Sequence, residues 1–446
     1  VGKRRFKRPP EGTFTTTIER LTHEGRGIAT LNGKTTFIAQ ALPGETVRFQ
    51  YTATHGQYDE GLCLEVVENT STDRAIPLCP HFGTCGGCSL QHMSSEAQVA
   101  HKQKTLLELI AHQSRVQPKV VLEPLTAPPY HYRRKARLGI RYVAKKGLPL
   151  FGFREINGRF LCDIHRCDIL DLSLGHTIQA TREMLDKLSI KHQIAQCEAS
   201  LSEDKKILIF RNLEPFSEED IKVLEAFGQT HDFMVFQQPG NASTIQGLHG
   251  EALPKQYYSL PDFDLKLGFM PHNFTQVNFP INQAMVSRAI DELDLNSDDT
   301  VLDLFCGLGN FSLAAARHAK HVTGVEGSQE MAERAGENAK LNAIHNTDFH
   351  AFDLIQDFQH TPWCKAYDKL IIDPPRSGAE HIVKHIEHFN AAKIVYISCN
   401  PATLARDIAM LVNEKGYTLE KAGVMDMFPH TAHVESMAVF SRQDKS

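Results

Sequence analysis

The stretch "VLDLFCGLGNF", residues 301–311, decides how the C-terminal part of this chain folds. An apolar run containing Asp303 reads as a strand, and Gly307 and Gly309 fall in the turn that opens the next helix. Glycine tolerates positive φ and puts no side chain between the backbone and a bound nucleotide-like ligand. A lone G-x-G is a weak signal. It gains weight from Glu326, which ends the next apolar segment 17 residues beyond Gly309, where a carboxylate can accept both hydroxyls of a ribose.

Working outward, apolar strands read at 301–305, 322–325, 369–372 and 394–397, each followed by a helical segment. That alternation predicts a doubly wound, Rossmann-like parallel sheet whose ligands sit at the carboxyl ends of the strands. Two cofactors compete for the glycine turn. A dinucleotide would want a third glycine where Ser312 stands, and Asp303 would repel its pyrophosphate. A cationic sulfonium tolerates acidic neighbours, which favours S-adenosylmethionine. Asp353, between the second and third of these strands, either faces the adenine or is a turn residue.

The chemistry follows the last two of these strands, in "LIIDPPRSG" and "VYISCNPATLARD". Cys399 lies between an apolar strand and a helix for which Asn400 can be the N-cap and Pro401 the first residue. The positive helix end is expected to lower the thiol pKa. A nucleophilic thiolate suits uracil, because addition at C6 pushes electrons onto C5, which can then attack a methyl group. The C5 proton must leave afterwards, so a base is needed. "HTAHVESMAVF" offers Glu435 on a predicted strand, with His430 and His433 as rivals.

Together, "FTQVN", "DLFCGLGNF", "DPPRSG", "SCNPATLARD" and "DMFPHTAHVESM" resemble the RNA uridine-5-methyltransferase family over roughly the last 170 residues. The resemblance implies that Cys399 is the nucleophile and Glu435 the base. It also implies that Gln276, Phe305, Asn310, Glu326, Asp353 and Asp373 line the donor and base site. RNA cytosine-5 methyltransferases share the fold but place a cysteine directly after D-x-P, where this chain has Arg376.

Upstream, residues 13–68 alternate β-branched or apolar with polar residues between glycines, which predicts a small all-β barrel. "LTHEGRGIATLNGKTTFIAQALPGE" resembles the TRAM domain, an OB-like RNA-binding barrel. Then Cys79, Cys85 and Cys88 occur as C-x5-C-x2-C, with Gly86 and Gly87 placed so that backbone amides can reach sulfur. Three such thiols in a reduced protein point to a metal site. Resemblance makes it a [4Fe-4S] cluster with Cys167 of "HRCDIL" as fourth ligand, Cys162 being the local competitor. A zinc site using His81 or His92 is the alternative.

A strand-rich stretch, 130–274, holds Arg133, Arg134, Lys135, Arg137, Arg141, Lys145 and Lys146, and a basic arm precedes the barrel at 1–12. The expected organisation is multidomain: arm 1–12, barrel 13–69, a central α+β domain with the cysteine cluster at 70–277, and an α/β methyltransferase domain at 278–446. A net charge of −5 argues against indiscriminate nucleic-acid binding, so the basic runs carry that reading. The chain has no run of about 18 apolar residues and no apolar leader, so the cytoplasm is the expected compartment and no membrane association is expected. Ten cysteines are then reduced thiols, ligands or nucleophiles.

A barrel plus a cysteine cluster resembles the branch of the family that methylates 23S ribosomal RNA. A tRNA-methylating enzyme is the alternative, and a non-catalytic RNA-binding assembly protein is the alternative from another class. No protein partner is implied.

Overall fold

The alternation after the arm becomes six strands: β1 (Phe14–Thr17), β2 (Arg20–Leu21), β3 (Gly27–Leu31), β4 (Lys34–Ala39), β5 (Thr46–Thr54) and β6 (Tyr58–Glu68). They pair in the order β1-β5-β6-β4-β3-β2. Between β1 and β2, the Ile18 amide donates to Glu45 O (2.9 Å) and the Glu19 amide to Ile28 O (2.8 Å). Residues 14–21 therefore bond to both ends of the sheet and close it into a barrel. Ile18, Ala29, Ile38, Ala41, Val47 and Phe49 fill its interior, each large one contributing about 1.5–3 kcal/mol.

The computed structural model describes residues 8–156 and 158–442, so the first seven residues of the predicted arm lie outside the described residues. The chain divides into two units. The first comprises residues up to Thr105, with Phe153–Cys162 and Phe428–His433. It holds the barrel, the cysteine loop and the first half of α1 (Ser95–Ser114). The barrel is joined to the segment after it by a buried carboxylate. Burial alone would raise the Glu45 pKa, but the Arg74 guanidinium and the Leu42 and Ser71 amides bring it below the ordinary value.

The second unit begins with β7 (Val120–Val121), β8 (Lys135–Val143) and β9 (Leu148–Gly152). The helices α2 (Leu172–Gly175) and α3 (Ile178–Lys187) lead to β10 (Ile194–Leu201), β11 (Lys206–Asn212), α4 (Glu218–His231), β12 (Met234–Gln237) and β13 (Gln246–Gly247). One six-stranded sheet runs β13-β12-β11-β10-β8-β9, and β14 (Gln256–Leu260) and β15 (Leu265–Phe269) form a hairpin. The segment read from the sequence as one central domain is thus shared between the two units.

Then comes the alternating pattern: α5 (Phe279–Leu293), β16 (Thr300–Leu304), α6 (Ser312–Ala316), β17 (His321–Glu326), α7 (Gln329–Leu341), β18 (Thr347–Ala351), β19 (Lys369–Ile372), α8 (Glu380–Lys384), β20 (Lys393–Ser398), α9 (Pro401–Asn413), β21 (Tyr417–Met425) and β22 (Glu435–Arg442). The eight-stranded sheet runs β18-β17-β16-β19-β20-β22-β21-β7. Strands β16 to β20 are parallel to one another, while β22 is antiparallel to both β20 and β21. Buried on both faces, β16, β19 and β20 are nearly continuous apolar runs, as a parallel sheet requires. No helix among the described residues is long and apolar enough to cross a membrane.

Candidate active site

The ends of β16, β17, β19 and β20 meet where the glycine turn leaves the sheet. Phe305 takes φ +64°, a costly conformation for a non-glycine residue, and its amide bonds Val325 O at 2.8 Å. Gly307 and Gly309 follow at φ +56° and +92°, as the turn required. Glu326, at the end of β17, accepts the Gly307 amide (3.1 Å) and the Ser328 amide (3.0 Å). It thereby ties the two loops that border the predicted donor site.

Two carboxyls of this site, Asp303 and Asp373, have raised pKa values. Asp303 is fully buried and bonded by the Ser312 hydroxyl; burial, with help from nearby Asp373 and Glu326, pushes its pKa up to about 7. Asp373 follows β19, and its carboxyl is likewise raised to about 7 by desolvation and by Glu326. Asn310 is fixed from two sides: the Tyr258 hydroxyl donates to its Oδ1 at 2.8 Å, and its amide donates to Asn282 at 2.9 Å. Gln276 lies partly buried just before α5. Asp353 is exposed and accepts the Ile355 amide at 3.3 Å, the posture of a turn residue.

Cys399 and Glu435 are brought together by strand register. Ser398 ends β20 and pairs with Ser436 of antiparallel β22, so Cys399 and Glu435 each lie one residue beyond this last pair, near enough for the carboxyl to act on the thiol. Asn400 accepts the Ala402 amide at 3.1 Å and Pro401 is the first helical residue, as the sequence predicts. The expected drop in the thiol pKa does not follow. Burial raises it, and Glu435 and Asp373 add repulsion, against the lowering effect of Arg376 and of a backbone hydrogen bond. Glu435 is 4% exposed, and desolvation plus Asp373 push its pKa up to about 8, against the pull of Arg376.

Arg376 is the member of this group whose role the sequence reading missed. "DPPRSG" was the signal, since a cation directly after a site carboxylate balances charge. Its carbonyl also accepts Asn400 Nδ2 at 2.9 Å, tying the β19 loop to the nucleophile loop. Among the base's rivals, His433 is exposed. His430 is buried in the first unit, where Gln98 bonds its ring and amide.

In the first unit, the cysteine loop is stitched to residues 153–162. The Gly86 amide donates to Arg154 O at 2.8 Å, and Cys85 pairs with Glu155. Burial raises the Cys85 thiol to about 11, and Cys162 and Cys79 are close enough to raise it further, so three thiols share one neighbourhood. The Gly87 amide reaches the Cys85 sulfur, the contact anticipated from the glycine pair. Cys88 lies on the same loop and is half-buried. Cys167 is buried in the second unit, its amide on Gly175 O at 3.1 Å. His92 is a neutral imidazole, since burial lowers its pKa to about 4, and it stacks on Phe82. Among the described residues, no three His, Cys, Asp or Glu side chains converge as a preformed metal site.

Much of the basic run is already engaged within the second unit. Arg137 pairs with Glu198 (2.6 Å) and Lys146 with Asp163 (2.5 Å). Arg134 lies over the Phe279 ring, and Lys135 donates to Asn273 O. Arg141 and Lys145 are exposed.

Comparison with known proteins agrees with this geometry. A TRAM domain matches residues 12–61. The 23S rRNA (uracil(1939)-C(5))-methyltransferase RlmD of Francisella tularensis subsp. novicida is 48% identical over 438 residues, covering 97% of each chain. The protein of the same name from Alcanivorax borkumensis is 48% identical over 99% of each chain. Among solved structures, the Pyrococcus abyssi tRNA (uracil-54, C5)-methyltransferase in complex with S-adenosyl-L-homocysteine has the same fold. Its TM-score is 0.70 at 21% identity, over 96% of this chain and 100% of that one. The family described as tRNA (Uracil-5-)-methyltransferase matches residues 94–443, most of the chain, and with relatives this similar over nearly their whole length the chain belongs to that family.

Proposed function

We propose that this protein methylates C5 of a uridine in 23S ribosomal RNA, with S-adenosylmethionine as donor, Cys399 as covalent nucleophile and Glu435 as base. The observation that carries this reading is that Cys399 and Glu435, each one residue beyond the last pair of the β20–β22 ladder, lie close enough for the nearly buried carboxyl to act on the thiol. A base must stand beside the nucleophile because both act on adjacent atoms, C6 and C5, of the same ring.

The steps balance as follows. The Cys399 thiolate bonds to C6, and the electrons of the C5–C6 double bond move onto C5 and O4. C5 takes the methyl group, and the donor leaves as a neutral thioether. Glu435, as carboxylate, removes the C5 proton, the double bond reforms, and the C6–sulfur bond breaks to return the thiolate. In the free protein the thiol is held protonated by burial and by two acidic neighbours. A cationic donor beside Asp373 would offset that repulsion, and Arg376 already does so in part. Target RNA carrying 5-fluorouridine tests the scheme. With fluorine at C5 no proton can be removed, so a covalent protein–RNA adduct should persist; its absence would reject covalent catalysis.

The donor is held between the Gly307–Gly309 turn and Glu326, whose carboxylate would exchange its two backbone amides for ribose hydroxyls. Phe305, Asn310, Asp373 and Gln276 complete the site, with Asp353 at its margin. The relatives at 48% identity act on 23S rRNA by name, and the TRAM match adds an RNA-binding barrel, which favours ribosomal RNA over tRNA.

A [4Fe-4S] cluster is proposed on Cys79, Cys85 and Cys88, with Cys167 as fourth ligand. The nearness of Cys79 to Cys85 and the Gly87 amide at the Cys85 sulfur support a thiolate-bound cluster. Cys167 follows only from the resemblance of "HRCDIL" to the family's ligand context. Cys162, beside Cys85, is the alternative that metal analysis of the two single variants separates.

A further inference from the structure

We infer that Gln98 is a positioning residue for the catalytic base, acting through the turn that precedes Glu435. The inference rests on the reading of Glu435 as the base. The turn runs from Met425, the end of β21, to Glu435, the start of β22, two residues that pair across the ladder. Its middle, Phe428–His433, packs as part of the first unit although its chain neighbours belong to the second. Glu435 pairs with Met425 in the sheet, and the turn that leads to it is held by contacts within the first unit.

What holds it is a set of buried polar contacts. Gln98 is 1% exposed and His430 2%. The His430 amide donates to Gln98 Oε1 at 2.8 Å, and Gln98 Nε2 lies 3.1 Å from His430 Nδ1. The Gln98 Nε2 group can only donate, so Nδ1 is the acceptor and the ring proton sits on Nε2. The same Nε2 is shared with Met93 O (2.8 Å) and Leu90 O (3.1 Å). His430 O accepts the Ser89 and Leu90 amides at 2.9 and 3.0 Å, and the Ala432 amide bonds Ser89 Oγ at 3.2 Å. One turn along α1, buried Lys102 donates to Phe428 O at 2.9 Å.

Two features say that the contacts fix position and not merely fill space. His430 adopts φ +66°, a strained conformation for a non-glycine residue that persists only when its surroundings impose it. A lysine and a glutamine spent on carbonyl groups inside a core also select one backbone path, where apolar packing would tolerate several. Five residues after His430 the path delivers Glu435, and a displacement of about 1 Å at a reacting group can cost about a hundredfold in rate.

The step affected is removal of the C5 proton, not methyl transfer. The test uses full-length protein, target RNA and methyl-labelled donor, and follows methyl transfer and release of the adduct separately. Gln98→Met keeps the side-chain volume and removes the amide; Lys102→Met and the milder Ser89→Ala serve if it does not fold. Glu435→Gln is run in parallel. The expectation is adduct release slowed by about tenfold to a hundredfold, with methyl transfer changed by less than about threefold. Gln98→Asn, which keeps the amide one carbon short, should recover part of the release rate. Normal release, or an equal slowing of both steps, in a folded turn variant while Glu435→Gln stalls would overturn this inference and leave the base assignment standing. Normal release by Glu435→Gln would overturn the base assignment, and the inference with it.

Discussion

Replacing Glu435 by glutamine should separate the chemical role of this carboxyl from its energetic burden on the fold. The side chain is almost fully buried, and its pKa stands at about 8 against an ordinary 4.5. Ionising it in the folded site therefore costs about 5 kcal/mol more than in water, at ~1.4 kcal/mol for each tenfold change in the equilibrium. Because the folded value is raised, its contribution to stability is intact below about pH 4.5, where both states are protonated. It is lost as the pH rises toward about 8, since the unfolded chain ionises first. Glutamine is nearly isosteric and does not titrate. Relative to the wild type, Glu435→Gln should gain stability between these limits, with about 5 kcal/mol as ceiling, because Asp373 shares the repulsion. Denaturant unfolding of the donor-free proteins at about pH 5 and about pH 8 measures the difference. The variant should also accumulate a methylated protein–RNA adduct. Stability curves that stay parallel across that range would refute the claim that this carboxyl is held out of water with no fixed counter-charge to match it.

Cys399→Ala should abolish methyl transfer while leaving donor affinity within about threefold, read by calorimetry and by label transfer to RNA, because the thiolate acts on the base and not on the donor. Affinity for S-adenosylmethionine should rise about tenfold from about pH 6 to about pH 8 as Asp303 and Asp373, raised to about 7, become carboxylates. S-adenosylhomocysteine, which lacks the cation, should change little, and equal pH dependence of the two ligands would count against an acidic donor site. Protein purified without oxygen should contain iron and sulfide and lose both in Cys85→Ala; loss in Cys167→Ala but not in Cys162→Ala confirms the fourth ligand, and the reverse pattern replaces it. Deleting residues through Asn69 should weaken binding to ribosomal RNA fragments at matched salt and leave donor affinity unchanged.

The parallel sheet was legible in the sequence because strands buried on both faces must be apolar along their length, which marks β16, β19 and β20 without reference to anything distant. The barrel was legible for the complementary reason, alternation between glycine turns. Neither signal shows β7: its two residues pair with Lys421 and Ala422, about 300 positions away, and a pairing that short leaves no periodicity. The site divides in the same way. Asp303, Gly307, Glu326 and Cys399 are marked by their place at strand ends, and the N-cap at Asn400 by residue type. The pKa of Cys399 was misread because a helix end is local and visible, whereas desolvation and the charges of Asp373 and Glu435 come from other strands. Gln98 carries no motif, and in the sequence it is one polar position on an amphipathic helix. Its role emerges only when the fold brings it to His430, more than 300 residues along the chain, where the amide geometry of one buried side chain settles the path of the backbone that leads to the base.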